Sequence, residues 1–345
     1  MEIGIYTFGD LGPNPHTGET ISAKQRLKEV IELGKMADEA GLDIFGVGEH
    51  HRLDYAISSP AIVLAAVAHA TKHIKLTSAT SVISTLDPVR LFEDFATLDV
   101  ISEGRAEIIA GRGAFIESFP LFGYELDDYD ALFEENIKLL QQLNTEEIVT
   151  WQGTFRSNLD NAMISPRPIQ EKLPLWVGVG GTAKSAIRAG RLGTGLAMAI
   201  LGGPLTHFKS LVDLYIQAGM EEGHKRENLP IAVNAHTYIA KESQQAKDEF
   251  YPYYANYWSY VNKQRGMATR ITRSDFEQVA SPETALFVGS PQQIVEKILR
   301  QHEAFGHDRF IAQIDIGGQS FSEVAKGIEL LATEVAPVVR RETSK

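Results

Sequence analysis

Residues 44–51 read IFGVGEHH, an apolar run that ends abruptly in one glutamate and two adjacent histidines. The run Ile44–Gly48 has the length and composition of a buried strand. Residues 23–40 before it carry apolar side chains at helical spacing, and Gly41 ends that helix, as a glycine in the left-handed conformation often does. A buried strand that follows an amphipathic helix is typical of a parallel α/β fold, so this stretch indicates the fold class.

The same unit recurs along the chain, so that apolar runs alternate with helical segments. The predicted strands are Ile3–Thr7, Ile44–Gly48, Ile74–Val82, Ala106–Ala110, Leu175–Val179, Leu196–Ile200, Ile231–Ala240 and Phe310–Ile316. Eight such strands favour an α/β fold of the (β/α)8 TIM-barrel type with inserted segments. A doubly wound open sheet is the alternative, because its strands would also be apolar and parallel. The number of predicted strands, eight, favours the barrel over the open sheet.

Two segments interrupt the alternation, and we expect them to be insertions in a single barrel domain over residues 1–345. Residues 145–173 contain Trp151-Gln152-Gly153 and little periodicity, which predicts a hairpin and a loop. Residues 245–284 are predicted to form a helix and an excursion, and their aromatic block lies at 250–260. These rings could wall a substrate pocket, or they could pack a long helix onto the barrel. Both interpretations stay open at the level of sequence.

Composition excludes several classes of protein. The 345 residues carry a net charge of −12, which argues against a nucleic-acid surface, because phosphate contacts need clustered lysine and arginine. There is no cysteine, so disulfides, thiolate metal ligands and thiol nucleophiles are excluded. The N-terminal sequence lacks a signal-peptide pattern, and no apolar run has the roughly 20 residues of a membrane helix. We therefore expect a cytoplasmic protein without membrane contacts.

The EHH cluster lies where a barrel places its chemistry, at the carboxyl end of a strand. Adjacent residues of an extended segment point to opposite faces, so His50 and His51 should not both face one metal ion, and no metal site is predicted. A histidine here could be a catalytic or ligand-binding group, because imidazole is easily poised for proton transfer near neutral pH. It could equally be a structural side chain that is bonded to Glu49 and fastens a loop.

A second polar cluster has the features of a phosphate site. Arg112 lies between glycines in AGRGAF, directly after the fourth strand, and arginine offers a fork of donors that suits phosphate. GVGGTAKS follows the fifth strand and leads into a helix, whose first amides can bind an anion. Together the two stretches predict a two-sided phosphate grip. The alternative for Arg112 is a turn with a solvated arginine.

Four motifs in this order resemble those of a known family: EHH after the second strand, DPVR before the third helix, ISEGRAEIIAGRG through the fourth strand and WVGVGGT after the fifth. They resemble the luciferase-like flavin-dependent monooxygenases, the bacterial luciferase superfamily, and the resemblance runs from Met1 to about Arg341. It implies a (β/α)8 barrel with inserted segments, commonly dimeric, that binds FMN or, in one branch, a deazaflavin.

The resemblance also implies roles for individual residues. His50 takes the position of the catalytic histidine, and Glu49 would orient it or bond near the flavin, which leaves His51 a structural part. Ser81-Val82 takes the position where members often have a non-proline cis peptide bond against the flavin ring. Cofactor contacts are thereby implied for Ser81, Val82, Arg112, Gly180, Gly181 and Thr182. A serine of luciferase is Gly181 here, so backbone amides and the Thr182 hydroxyl would have to grip the phosphate.

The function that the resemblance implies is an FMN-dependent monooxygenase, a homodimer that uses molecular oxygen on a small apolar or aldehyde-like substrate. Members usually accept reduced FMN from a separate flavin reductase, and no second dinucleotide-binding motif is visible in the sequence. Three alternatives remain: a deazaflavin-dependent hydride-transfer reductase, a flavin-binding homologue without turnover, and a metal-dependent barrel hydrolase.

Overall fold

Parallel strands close on themselves into a barrel, and helices pack around its outside. The computed structural model describes residues 1–113, 115–264, 267, 270–284 and 286–344. The strands in the described residues are β1 (Glu2–Thr7), β2 (Ile44–Val47), β3 (Lys75–Ser78), β4 (Ser81–Val82), β5 (Ala106–Gly111), β6 (Ile148–Trp151), β7 (Leu159–Met163), β8 (Leu175–Val179), β9 (Gly195–Ala199), β10 (Ile231–Ile239), β11 (Phe287–Gly289) and β12 (Arg309–Gln313).

The third long helix begins at the Asp87-Pro88 pair of the DPVR motif. Asp87 accepts hydrogen bonds from the amides of Val89 and Arg90, at 2.9 and 3.1 Å, and Pro88 fills the first helical position. The described helices are α1 (Ala23–Glu39), α2 (Pro60–Ala70), α3 (Pro88–Ile101), α4 (Ser118–Phe122), α5 (Tyr129–Thr145), α6 (Ala183–Leu192), α7 (Leu205–Glu221), α8 (Ser243–Gln264), α9 (Arg273–Val279), α10 (Pro291–Phe305), α11 (Phe321–Leu330) and α12 (Ala336–Thr343). None of the helices in the described ranges is long and apolar enough to cross a membrane.

Eight strands form the barrel, in the order β1-β2-β3-β5-β8-β9-β10-β12. Every pairing between them is parallel, and β12 pairs again with β1, so this sheet has no free edge. Apolar side chains between the sheet and the helices form the main core. The predicted (β/α)8 barrel is thus confirmed, and the alternative of an open sheet is wrong because both would-be edge strands are paired.

The third predicted strand, Ile74–Val82, is divided in two. β3 ends at Ser78, and β4 pairs instead with the last residues of β5. Between them lies a non-proline cis peptide bond that joins Ala79 and Thr80. The implied position of this bond, Ser81-Val82, is therefore wrong: those two residues are extended and paired, and the bond lies at the break before them.

The two insertions differ in what they contribute. The first forms the antiparallel hairpin β6–β7, as predicted. The second contains α9 and nearly all of α8. The short strand β11, which the sequence reading missed, follows this insertion and extends the sheet beside the last residues of β10. Residues 265, 266, 268 and 269 of this insertion lie outside the described residues, and so do Ala285, which follows it, and Ala114 of the AGRGAF motif.

Small residues leave space inside the carboxyl end of the barrel. A Cβ atom built on Gly111 would lie 2.4 Å from the Thr80 Oγ1, and one on Gly178 would lie 2.8 Å from the Thr80 Cγ2. Ala197 and Ala199 continue this inner surface on β9. Because larger side chains are missing from these positions, the barrel is open above Thr80 rather than filled.

Ion pairs close the opposite end of the barrel. Arg309, which is 2% exposed, donates to both oxygens of Glu107 at 2.6 and 3.1 Å, and to Glu2 at 2.7 Å. Its guanidinium lies 4.5 Å from the centroid of the Trp176 ring. Lys75 completes the group with a 2.6 Å contact to Glu2. A buried charge of this kind is tolerable only while its partner is present.

Replacing Arg309 with methionine is expected to lower the free energy of unfolding by about 3–5 kcal/mol, because the Glu107 carboxylate would stay buried without its main partner. The double variant Glu107→Leu with Arg309→Met removes both charges and should recover most of that loss. Urea unfolding of both variants measures the difference. A double variant as unstable as the single one would show that packing, and not the unpaired charge, sets the cost.

Candidate active site at the carboxyl end of the barrel

A cavity of about 280 Å3 opens at the carboxyl end of the barrel. Its floor consists of small residues, among them Ala79, Thr80 and Gly111, and its walls are largely aromatic. Phe8 follows β1, and Tyr257 and Trp258 come from α8. The interpretation that the aromatic block packs a long helix onto the barrel is confirmed, and other rings of the same helix, α8, line the cavity. No residue of the first insertion contributes to the wall among the described residues.

His50 lies in the wall of this cavity and is 8% exposed. Its ring stacks on Tyr55 at a centroid distance of 4.2 Å and meets the edges of Phe8 at 4.5 Å and Phe115 at 5.3 Å. Burial, with a smaller effect of the Arg52 charge, lowers the pKa of His50 to about 3. The imidazole is therefore neutral at physiological pH, and it offers one N–H donor and one acceptor nitrogen.

Glu49 is bonded to the other histidine. Its Oε1 lies 2.8 Å from the Nε2 of His51, and its Oε2 accepts a 2.8 Å hydrogen bond from the amide of Val82. The implied role of Glu49 in orienting His50 is therefore wrong, although Glu49 does line the cavity. The structural alternative, a histidine bonded to Glu49 that fastens a loop, describes His51. The prediction that the two histidines face apart is confirmed: the His51 ring contacts Phe122 at 4.9 Å, outside the cavity.

Ser81 and Val82, like the two histidines, face different sides of the sheet. Val82 lines the cavity, whereas Ser81 lines a different depression that lies between α2 and α3. The reason is strand geometry, because successive residues of β4 point to opposite sides of the sheet. Of this predicted pair, only Val82 is placed to contact a ligand in the cavity.

Arg112 lies at the edge of the cavity and is held from two sides. It donates to the Asp130 Oδ1 at 2.7 Å and to the Ser185 Oγ at 2.8 Å. The Ser185 hydroxyl is in turn 2.7 Å from that of Thr182, the residue that precedes α6. Gly180 borders the cavity next to Arg112, so the two predicted halves of the phosphate grip do meet. The alternative of a solvated Arg112 in a turn is wrong.

Charges that the sequence reading missed surround this grip. Lys184 and Arg188, one helical turn apart on α6, bond to Asp130 at 2.7 and 3.1 Å, and Arg188 also meets Glu134 at 3.0 Å. The hydrogen bond from Lys184, with those from Arg112 and Arg188, lowers the pKa of Asp130 far below its usual range. Three cations against two carboxylates leave a positive excess at the N-terminus of a helix, where anions bind favourably.

These residues fit a cofactor that carries a phosphate on a flat ring. The cluster around Arg112 has hydroxyl, guanidinium and helix-terminal donors, which is the donor set that phosphate needs. The adjoining cavity has a floor of small residues and aromatic walls, which suits an apolar planar ring. Among the described residues, no group of three or more potential ligands gathers as a metal site. The fold and the site thus define a barrel protein with a cationic rim, rich in hydrogen-bond donors, beside an aromatic cavity.

Residues 1–308 match the sequence model of the family described as luciferase-like monooxygenase, and the chain belongs to this family. The family that the four motifs predicted is confirmed. The oxygenase component of the flavin-dependent trigonelline monooxygenase of Acinetobacter baylyi is 26% identical over 345 residues, covering 91% of this chain and 90% of that protein.

Solved structures agree with this assignment. The monooxygenase RslO1 from Streptomyces bottropensis superposes with a TM-score of 0.83 at 27% identity, over 98% of this chain and 99% of that one. An F420-dependent secondary alcohol dehydrogenase in complex with an F420-acetone adduct has a TM-score of 0.74 at 18% identity, over 98% and 99%. At that identity the second likeness shows the fold alone.

Acidification is expected to destabilise the protein through its buried histidines. Folding lowers the pKa of His50 from 6.5 to about 3, so between these values the unfolded chain binds a proton that the native imidazole does not. The stability that comes from neutral His50 is complete above pH 6.5 and declines as the pH falls toward 3, by about 2 kcal/mol at pH 5. Urea unfolding at pH 7 and pH 5 measures this loss.

A His50→Asn variant should lose about 2 kcal/mol less than the wild type between the two pH values. The matched control is His69→Asn, which alters an exposed histidine of α2 and should respond to acid as the wild type does. An acid response of His50→Asn equal to that of the wild type would contradict the buried, neutral state of His50.

Proposed function

We propose that the chain is the oxygenase of a two-component flavin system, which receives reduced FMN from a separate reductase and oxidises a small organic substrate with molecular oxygen. The observation that carries this proposal is the anion site of Arg112, Thr182 and Ser185 at the mouth of the aromatic cavity that contains His50. The Acinetobacter relative is the oxygenase component of a flavin-dependent monooxygenase, which supports the partnership with a reductase.

The phosphate of FMN would bind at the first turn of α6. Arg112 supplies a fork of donors, and Thr182 and Ser185 supply hydroxyl groups. The amides of Gly181 and Thr182 precede the helix, where backbone N–H groups lack helical partners. Asp130 holds the guanidinium of Arg112 in place, so little side-chain freedom is lost when the anion binds.

The flavin ring would lie on the floor of Ala79, Thr80 and Gly111, below the aromatic walls. Reduced FMN, when bound, supplies the two electrons that let one atom of oxygen enter the substrate while the other leaves as water. Phe8, Tyr257 and Trp258 exclude bulk water from this space. The neutral imidazole of His50 can donate its N–H to an oxygen atom of the reactants and accept a proton on its other nitrogen.

Replacing Arg112 with methionine is expected to weaken the binding of FMN about 10- to 100-fold, because a charge-assisted hydrogen bond to the phosphate is lost. Riboflavin, which lacks the phosphate, should bind both proteins equally. Quenching of flavin fluorescence measures the four dissociation constants. The control is Arg90→Met, which removes an exposed arginine of α3 and should leave FMN binding unchanged. Equal FMN affinities of Arg112→Met and the wild type would show that the phosphate does not bind at this site.

The same titration with F420 in place of FMN tests the deazaflavin alternative, which the likeness to the F420-dependent dehydrogenase motivates. We expect FMN to bind more tightly. Oxygen uptake with an FMN reductase and a panel of aldehydes and cyclic ketones then tests turnover, and His50→Asn should lower substrate-dependent uptake at least tenfold. Unchanged uptake by His50→Asn would exclude the proton-transfer role, and tighter binding of F420 would overturn the choice of cofactor.

We also infer that two copies of the chain form a homodimer. A depression of about 600 Å3 lies between α2, α3 and α4, and it includes the exposed apolar side chains of Ile62, Ile101 and Phe122, which are 73%, 52% and 49% exposed. Exposed apolar surface of this extent is typical of an interaction site. The depression also includes His51, so the dimer contact would adjoin the Glu49–His51 pair.

The variant Ile62→Glu is expected to be monomeric, because a carboxylate in the middle of an apolar interface stays desolvated. Light scattering coupled to size-exclusion chromatography measures the mass. The control Ile169→Glu alters an isoleucine that is 61% exposed elsewhere and should leave the dimer intact. A wild-type protein that is monomeric at micromolar concentration would overturn the inference.

A further inference from the structure

Three polar side chains form a row across neighbouring strands inside the barrel. Tyr6 of β1 is the register partner of Gln313 of β12, and Gln313 is the register partner of His236 of β10. All three face inward, as does Ile311 two residues before Gln313, which packs with Tyr6 in the barrel interior. Asn234, two residues before His236 on the same face, lines the cavity.

Several polar atoms of this row lack partners. His236 is 0% and Gln313 is 1% exposed. Neither the two ring nitrogens of His236 nor the Oε1 of Gln313 makes a hydrogen bond to any residue that the structure describes. The Oδ1 of Asn234 is also buried and unpaired within the described part of the chain. Each buried polar group in this condition destabilises the protein relative to a satisfied one, because its desolvation is not compensated.

Unpaired polar atoms at neighbouring positions indicate a ligand site rather than a structural network. Isolated buried polar atoms without partners are uncommon in native proteins, and a group of them calls for a specific cause. An apolar residue at position 313 would fill the same volume without the desolvation cost. The row therefore lowers the stability of the free protein, and binding of a polar ligand would recover that free energy.

The chemistry of the row favours an uncharged ligand. Burial raises the pKa of Tyr6, so its hydroxyl stays protonated, and burial lowers the pKa of His236 to about 3, so its imidazole stays neutral. Amide, hydroxyl and neutral imidazole groups each donate and accept hydrogen bonds. The rings of Tyr257 and Trp258 lie 5.3 and 6.4 Å from that of His236, so an aromatic surface covers the row.

We propose that Tyr6, Gln313 and His236, together with Asn234, bind an uncharged amide-like edge of a cyclic ligand, with a carbonyl oxygen next to an N–H group. Such an edge matches side chains that both donate and accept hydrogen bonds. A carboxylate ligand, by contrast, would meet no cationic side chain in this row. Two molecules carry this chemistry: a lactam-like substrate and the pyrimidine part of the flavin ring. The proposal deepens the proposed function and rests on it for the identity of the cavity.

The first experiment measures the binding of 2-pyridone to Gln313→Met and to the wild type. The side chains of glutamine and methionine are similar in shape, so the substitution removes the amide and little else. Tryptophan fluorescence can follow the binding, because Trp258 lies against the row. The dissociation constant should rise at least tenfold. The control is Gln301→Met, a buried glutamine of α10 whose Oε1 is also unpaired among the described residues, and its binding should be unchanged.

The second measurement is the melting temperature. A ligand-binding role predicts that it stays the same or rises when a polar group of the row is removed, whereas a structural role predicts that it falls. Gln313→Met should melt at the same temperature as the wild type or above it, because an unpaired buried amide is removed. His236→Leu should behave in the same way and serves if the first variant fails to fold. Melting of both variants several degrees below Gln301→Met would overturn the proposal, since the row would then support the fold.

The third measurement separates the two ligands. A loss of 2-pyridone binding in the presence of saturating FMN, with unchanged FMN affinity, assigns the row to the substrate. A loss of riboflavin and FMN affinity assigns it to the flavin ring. Unchanged affinity for all three ligands in both variants overturns the proposal. Failure of the wild type to bind FMN would instead overturn the proposed function, and the 2-pyridone comparison in the flavin-free protein would still stand.

Discussion

Closure of the eight-stranded parallel sheet is the constraint on which the site depends. Because every pairing is parallel and no barrel strand has a free side, the carboxyl ends of all eight strands lie on one rim. Residues that are far apart in the chain meet there: Glu49 follows β2, Arg112 follows β5 and Gly180 follows β8. An open sheet would spread these residues along one edge, and a cavity with an aromatic wall on several sides would not form.

The two ends of the barrel interior differ in which side chains occupy them. At the amino end, Arg309 and Glu107 are buried as an ion pair that excludes any ligand. At the carboxyl end, Gly111 and Gly178 leave room above Thr80, and the walls come from α8 and from residues that follow the strands, such as Phe8 and His50. The cavity therefore depends on how the second insertion packs, while the hairpin of the first insertion lies apart from it.

Charge distinguishes the two parts of the site. At the first turn of α6, Asp130 is shared by Arg112, Lys184 and Arg188, so three cations are held close together. Around His50 the walls are apolar, and burial keeps the imidazole neutral. A cationic cluster and an apolar cavity with a neutral imidazole thus lie side by side on the same barrel rim.

The sequence by itself determined the alternation of buried strands and helices, the helix starts such as Asp87-Pro88, and the order of motifs that shows the family. These features are local, because burial and capping act over a few residues. Only the tertiary structure decided that Glu49 bonds to His51 rather than His50, that Ser81 leaves the cavity, and that Asp130 joins the phosphate grip. Each of these depends on which side chain lies opposite another across strands or helices, and that is set by sheet register and packing, which periodicity does not report.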